Sequence, residues 1–133
     1  MDQIAAGETP LHTQHDIVMA RQVVRRLSQE LRFSLVDQTK MVTAASELAR
    51  NTLIYGGGGE MHWQTVKNGT KQGLRLEFTD QGPGIPDLDL ALTDGWTSGN
   101  GLGLGLTGAR RLVNEFDIET SPKGTRVMIV RWS

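Results

Sequence analysis

The chain contains no cysteine, which excludes disulfide staples and thiolate metal sites and fits an intracellular, cytoplasmic setting. It has no excess of either charge: 14 Lys and Arg stand against 15 Asp and Glu, for a formal net charge of −1. That balance points to neither nucleic acid nor a membrane surface as a partner. No apolar run approaches the roughly 20 residues that cross a bilayer. No charged-then-apolar leader opens the sequence, so the sequon Asn68-Gly69-Thr70 carries little weight as a glycosylation site. The pattern G-x-x-x-x-G-K-[ST] is missing as well, which removes the P-loop nucleotide binders. With 133 residues, the chain fits one compact domain, residues 1–133, with no room for two independent cores. At that size roughly two-thirds of the unfolded surface is buried on folding, enough to stand without staples.

Glycine is what the chain has in excess, at 16 of 133 residues, against a usual share of about 7%. These glycines cluster. Eight fall between Gly82 and Gly108, and four form the run Gly56-Gly57-Gly58-Gly59. Clustered glycine marks backbone that turns tightly or approaches something closely.

The first ten residues read as a short strand or a frayed terminus. Thr13-Gln14-His15-Asp16 has the form of a capping box. Behind it, Ile17, Ala20, Val24, Leu27 and Leu31 recur at spacings of three and four, the apolar stripe of a helix. Ser34 to Asp37 repeats the capping pattern and opens a second helix through Met41, Ala45, Leu48, Thr52 and Tyr55, which the glycine run ends. Alternation at Met61, Trp63 and Thr65, and again at Leu74, Leu76 and Phe78, predicts two strands joined by the polar turn Lys67–Lys71. The segment from Gln81 to Asn100 is rich in glycine and proline and has little period, as functional or disordered loops do. A third helix is predicted from about Gly103 to Asn114. A hairpin, Phe116–Thr120 and Thr125–Trp132, then closes around Ser121-Pro122-Lys123-Gly124. The order predicts an α+β two-layer sandwich: a mixed, mostly antiparallel sheet with helices on one face.

Three constellations carry chemistry. Glu47 and Asn51 lie four residues apart on the second helix, about 40° apart around its axis. Such a pair can offer an amide oxygen to Mg²⁺ and a carboxylate to a water or an incoming hydroxyl, or it can be a solvated helix face. Asp80-Gln81-Gly82-Pro83-Gly84-Ile85-Pro86 follows a strand. Its carboxylate can accept from an exocyclic amine such as adenine N6, with Gly82 and Gly84 letting the backbone pass a flat base; the same residues also make ordinary turns. Gly99-Asn100-Gly101-Leu102-Gly103-Leu104-Gly105-Leu106 leads into the third helix, where bare N–H groups form a phosphate cradle. Gly103 to Gly108 also satisfies G-x-G-x-x-G, but no strand precedes it, so a dinucleotide fold is disfavoured. His12, His15 and His62 show no metal-ligand spacing and read as surface or cap residues. Trp63 and Trp132 read as packing residues in strands, and Trp96 as a latch or partner contact in the loop.

The order E-x-x-x-N on a helix, D-x-G-x-G after a strand and G-x-G-x-G before a helix resembles the GHKL superfamily of ATP-binding domains (gyrase, Hsp90, histidine kinase and MutL types). Within it, Ser46–Asn51, Asp80–Asp87 and Gly101–Leu106 look most like the RsbT-type serine/threonine switch kinases of the anti-sigma-factor kinase group. The likeness runs from about Asp16 to Trp132 and implies the Bergerat-type ATP-binding fold. It also implies ATP and Mg²⁺ as cofactors, with Glu47 orienting or deprotonating the acceptor hydroxyl and Asn51 ligating Mg²⁺. Asp80 is implied to bind adenine, Gly82 and Gly84 to shape the base pocket, and Gly101, Gly103 and Gly105 to contact phosphates. Thr125 is implied to support the Asp80–adenine contact. The implied substrate is a Ser or Thr on a STAS-domain antagonist protein, whose phosphorylation frees the kinase to activate a PP2C-type phosphatase. The stretch Ile85–Asn100 contains Asp87, Asp89 and Asp94 but no Lys or Arg. Sigma-sequestering relatives carry a basic residue there, so the switch-kinase branch is favoured over direct sigma binding. Charge neutralisation then falls to Mg²⁺, backbone N–H groups and Arg50 or Arg110, unless those arginines are simply solvated. The other reading is an ATP-binding switch or anti-sigma factor that acts by binding alone.

Overall fold

The computed structural model describes residues 2–85 and 102–133. Among them the chain runs β1 (Asp2–Leu11), α1 (Gln14–Glu30), α2 (Leu35–Ile54), β2 (Gly59–Asn68), β3 (Lys71–Asp80), α3 (Leu102–Arg111), β4 (Glu115–Ser121) and β5 (Gly124–Trp132). The capping signals act where the sequence puts them. Asp16 N–H donates to Thr13 Oγ1 at 3.1 Å, and Asp16 Oδ2 accepts from the N–H groups of His12 (2.8 Å) and Thr13 (3.1 Å). Ser34 Oγ accepts the Asp37 N–H at 3.1 Å at the head of α2. At its other end Tyr55 and Gly56 both donate to the Asn51 carbonyl, at 3.0 and 3.1 Å. Gly57 and Gly58 then turn the chain at φ 74° and 103°, in the left-handed region that terminates helices.

The five strands form one sheet in the order β1-β2-β3-β5-β4. Every ladder among the described residues is antiparallel, where the sequence reading had allowed a mixed sheet. Asp2–Leu11 form a full edge strand, paired with β2 from Asp2↔Lys67 to Leu11↔Gly59 with one register shift between Gln3 and Ala5. The third helix stops at Arg111, short of the expected Asn114. By Asn114 the chain has joined the sheet: its N–H reaches the Val130 carbonyl at 2.9 Å and its Oδ1 takes the Trp132 N–H at 2.7 Å.

One face of the sheet carries Leu11, Met61, Leu74, Leu76, Phe78, Val127 and Ile129, all buried with Val24, Leu27, Met41, Ala45 and Leu48 from the helices and with Leu106 and Ala109 of α3. The side chains from helices and sheet thus make one core between two layers. The opposite face carries charged side chains. Arg75, Glu77, Arg126, Asp117 and Glu119 form ion pairs across β3, β5 and β4. Trp63 and Trp132 pack as expected, each lying over a glycine of the neighbouring strand, Gly7 and Gly73. No helix among the described residues is long and apolar enough to cross a membrane.

Candidate functional site

A cavity opens where the C-terminal half of α2 meets the ends of β3 and β5. Its apolar walls come from Leu48, Phe78, Ile85, Leu106 and Val127; Asn51, Asp80 and Thr125 supply its polar groups. That composition, mostly apolar with a few converging polar groups, is how small-molecule sites are built.

Asp80 is the last residue of β3, and its carboxylate is held from one side. Oδ1 accepts the N–H groups of Gly82 (2.9 Å) and Thr125 (3.3 Å). Both bonds fall on the same oxygen, which leaves Oδ2 as an acceptor for something else. Gly56, just past α2, makes room for this: a Cβ there would collide with the Asp80 carboxylate. Gly82 in turn sits on Gly56, where a Cβ would lie 2.8 Å from the Gly56 Cα. Gly84 has φ 81° and rests on the Ser121 carbonyl. Of the two glycines expected to shape a base pocket, Gly84 lines the cavity. The space beside Gly82 is filled by the chain's own backbone.

Asn51 supplies the second polar group. Its Nδ2 is buried and makes no hydrogen bond among the described residues. An unpaired buried amide costs about 1–3 kcal/mol, and such an atom beside a cavity marks a place for a ligand. Rotating the amide by half a turn exchanges nitrogen for oxygen, so the position can present the hard oxygen donor that Mg²⁺ requires. By this test the residues fit a Mg-nucleotide.

Glu47 lies one turn before Asn51 and outside the cavity wall. It is half-buried and pairs loosely with Arg50 at 3.7 Å, a contact worth little between groups this exposed. Gly103 and Gly105 lie in the first turns of α3. Gly101, the remaining phosphate candidate, lies outside the described residues, as do Asp87, Asp89, Asp94 and Trp96.

Three features escaped the sequence. Gly56 reads there as a helix terminator, yet it also seats the Asp80 carboxylate. Thr120 shows no signal in sequence, but its hydroxyl accepts the Ile85 N–H at 2.8 Å and lies 2.8 Å from that of Thr125. His62, a surface residue as expected, has acidic neighbours that spacing does not show. The β1–β2 register sets Glu8 opposite His62, and Glu8, Glu60 and His62 bring potential metal ligands within 4.8 Å of one another. A strand pairing between residues over fifty positions apart cannot be read as a spacing motif. The group is exposed on the outer face, and the imidazole stands 3.4 Å from Glu8 and 3.5 Å from Glu60.

Residues 36–132 match the family model described as "Histidine kinase-, DNA gyrase B-, and HSP90-like ATPase". The serine/threonine-protein kinase RsbT of Bacillus subtilis (strain 168) is 43% identical over 121 residues, covering 90% of this chain and 91% of that one. The anti-sigma F factor of Thermoanaerobacter sp. (strain X514) is 28% identical over 120 residues, covering 85% of this chain and 82% of that one. In three dimensions, the crystal structure of the RsbU and RsbW domains of a Mycobacterium tuberculosis protein superposes with a TM-score of 0.66 at 18% identity. That alignment covers 96% of this chain and 32% of the other, and at such identity it speaks for the fold alone. The motif order, the cavity and these likenesses agree: the chain belongs to the histidine kinase-, DNA gyrase B- and HSP90-like ATPase family and, within it, to the RsbT-type serine/threonine-protein kinases.

Proposed function

We propose that the cavity holds the adenine of ATP and that the chain transfers the γ-phosphoryl group to a Ser or Thr of a STAS-domain antagonist protein. The observation that carries this reading is that a free carboxylate oxygen on Asp80 and an orphaned amide on Asn51 belong to residues lining one largely apolar cavity. Asp80 Oδ2 accepts from the exocyclic amine of the base, and Phe78, Val127, Leu106 and Ile85 enclose its faces. Asn51 turns its amide oxygen toward Mg²⁺, which supplies neutralising charge for the phosphates when bound. The N–H groups at the start of α3 lie free of intrahelical partners and receive phosphate oxygens, with Gly101, Gly103 and Gly105 keeping the approach clear of side chains. Glu47, a turn away on the same helix, orients or deprotonates the acceptor hydroxyl. Its loose contact with Arg50 leaves it available for that. Phosphorylation then releases the antagonist, and the freed kinase binds a PP2C-type phosphatase. An ATP-dependent exchange of this kind fits the cytoplasm.

Incubation with γ-labelled Mg-ATP and a cognate STAS protein tests the reading. Label should pass to a Ser or Thr of the partner, and Glu47→Ala should slow transfer by about 10²–10⁴-fold, the range for a lost general base, while ATP still binds. Transfer that persists in Glu47→Ala removes the role given to that carboxylate. ATP binding without transfer to any STAS partner leaves a nucleotide-biased switch instead.

A further inference from the structure

We infer that Thr120 is a positioning residue that fixes the direction of the Thr125 hydroxyl and so makes the cavity select adenine over guanine. The inference rests on the reading of the cavity as a nucleotide site and extends it to the choice of base. Thr120, near the end of β4, is half-buried and lines no part of the cavity. Its oxygen accepts the Ile85 N–H at 2.8 Å, and the Thr125 oxygen lies 2.8 Å away. Among the described residues it makes no other hydrogen bond.

A threonine hydroxyl has one hydrogen to give and two lone pairs to receive with. Were Thr125 to donate to Thr120, the Thr120 oxygen would receive twice and its own hydrogen would have no protein acceptor among the described residues. In the other direction the spare hydrogen falls on the residue that lines the cavity. Thr120 receives from Ile85 and donates to Thr125, and the Thr125 hydrogen is left over. Thr125 lines the cavity, so that hydrogen is available to a ligand.

The cavity thus offers an acceptor, Asp80 Oδ2, and a donor, the Thr125 hydroxyl, from residues tied together by the Thr125 N–H to Asp80 Oδ1 bond of 3.3 Å. The Watson–Crick edge of adenine is the complement, with an amine that donates at N6 beside a ring nitrogen that accepts at N1. Guanine presents the opposite polarity there, a carbonyl at O6 beside an N–H at N1. With Thr120 removed, the Thr125 hydroxyl is free to turn and the polarity is no longer fixed. The Ile85 N–H also loses its acceptor, which loosens the Asp80–Ile85 loop.

The experiment measures dissociation constants for ATP and GTP with the full chain and its Thr120→Val and Thr120→Ser variants, alongside thermal midpoints. Wild type should prefer ATP. Thr120→Val, which keeps shape and loses the hydroxyl, should weaken ATP about tenfold, the worth of one net hydrogen bond, while GTP changes little, so the preference narrows. Thr120→Ser should restore both. A purely structural role for Thr120 lowers the thermal midpoint but leaves the ATP-to-GTP ratio alone; that result, or a Ser variant as defective as Val, overturns the inference. If Thr120→Val fails to fold, Thr120→Ala is read the same way. A wild type that binds ATP and GTP equally overturns the adenine reading of the cavity itself, whereas a preference kept intact in Thr120→Val overturns only the part given to Thr120.

Discussion

The two ends of α2 are built to opposite rules, although about four turns of one helix join them. At the N-terminal end the polar groups are matched except for the buried Arg131 Nε. Ser34 caps the Asp37 N–H at 3.1 Å, Gln38 Nε2 donates to the Phe33 carbonyl at 2.9 Å, and Asp37 Oδ1 holds Arg131 Nη2 at 2.5 Å. Arg131 Nη1 continues across to the Leu112 carbonyl at 2.7 Å, so α2, β5 and the chain beyond α3 are pinned together. At the C-terminal end Asn51 Nδ2 is buried with no partner among the described residues, and the helix runs out into four glycines. One end is closed on itself and the other is left open for something the chain does not contain. An orphaned atom is not enough to make a site: Ser28 Oγ is equally buried and unpaired, but Ser28 does not line the cavity that Asn51 does. Asn51 differs because the residue lines a cavity whose wall also carries the unspent acceptor oxygen of Asp80.

The largest expected effect comes from closing the open end. Asn51→Leu keeps roughly the side-chain volume and removes the orphan. Phosphoryl transfer should fall by about 10²–10³-fold, the scale for losing one transition-state stabilising group. Stability measured by denaturant unfolding should rise by about 1 kcal/mol, because a buried unpaired amide has gone. Activity and stability moving in opposite directions is the signature of a residue kept for function. A variant that loses both would show that Asn51 is as structural as Asp37, and the contrast between the two ends would fail.

Opening the closed end should do the reverse. Arg131→Met leaves Asp37 without its cation and should cost about 2–4 kcal/mol, with ATP affinity of the folded protein unchanged. The pH profile gives a second check. The hydrogen bond from Arg131, foremost, holds the Asp37 carboxyl below the ordinary value of 3.8, with the Arg131 charge adding to it and burial working against it. A carboxylate with a lowered folded-state pKa contributes stability that is fully present above the unfolded value and is lost as pH falls through the folded one. Arg131→Met should therefore flatten the acid limb of stability below about pH 4 and leave the neutral range parallel to wild type. Some acid dependence should survive from Asp16, whose carboxyl is also lowered, chiefly by the His12 N–H bond. An acid limb as steep as wild type in Arg131→Met would mean that the pair does not form in solution.

These two ends also divide what could be read from the sequence. Capping at Thr13 and Ser34, the apolar stripes of α1 and α2 and the alternation of β2 and β3 are local patterns, and local patterns fix local structure. The site residues Asn51 and Asp80 became legible because their order along the chain is that of a family, although each alone is an ordinary helix or turn residue. What escaped depends on distant parts meeting. The segment Ile4-Ala5-Ala6-Gly7 shows no clean alternation, and its strand exists because β2 offers a partner edge. Thr120 matters only because the β4–β5 turn folds back under the Asp80–Ile85 loop. Glu8 and His62 meet through a register that no spacing rule contains. The paired group Asp37–Arg131 spans 94 positions, and nothing at either residue announces the other.

The smallest expected effect tests whether the two ends are independent. Ser34 is exposed and makes one bond that matters, accepting the Asp37 N–H. Ser34→Ala removes that cap without opening a cavity and should cost about 1 kcal/mol, a fall of roughly 3–5 °C in thermal midpoint for a domain of this size. The cost falls on the first turn, because the remaining helical bonds do not depend on the cap. Nothing at the cavity should sense it, since α2 is held along its length by Met41, Ala45 and Leu48 in the core. The ATP dissociation constant and the transfer rate should both match wild type at temperatures where the variant stays folded. A nucleotide affinity that falls with the cap would mean that α2 moves as one unit, and the open end would then draw its geometry from the closed one.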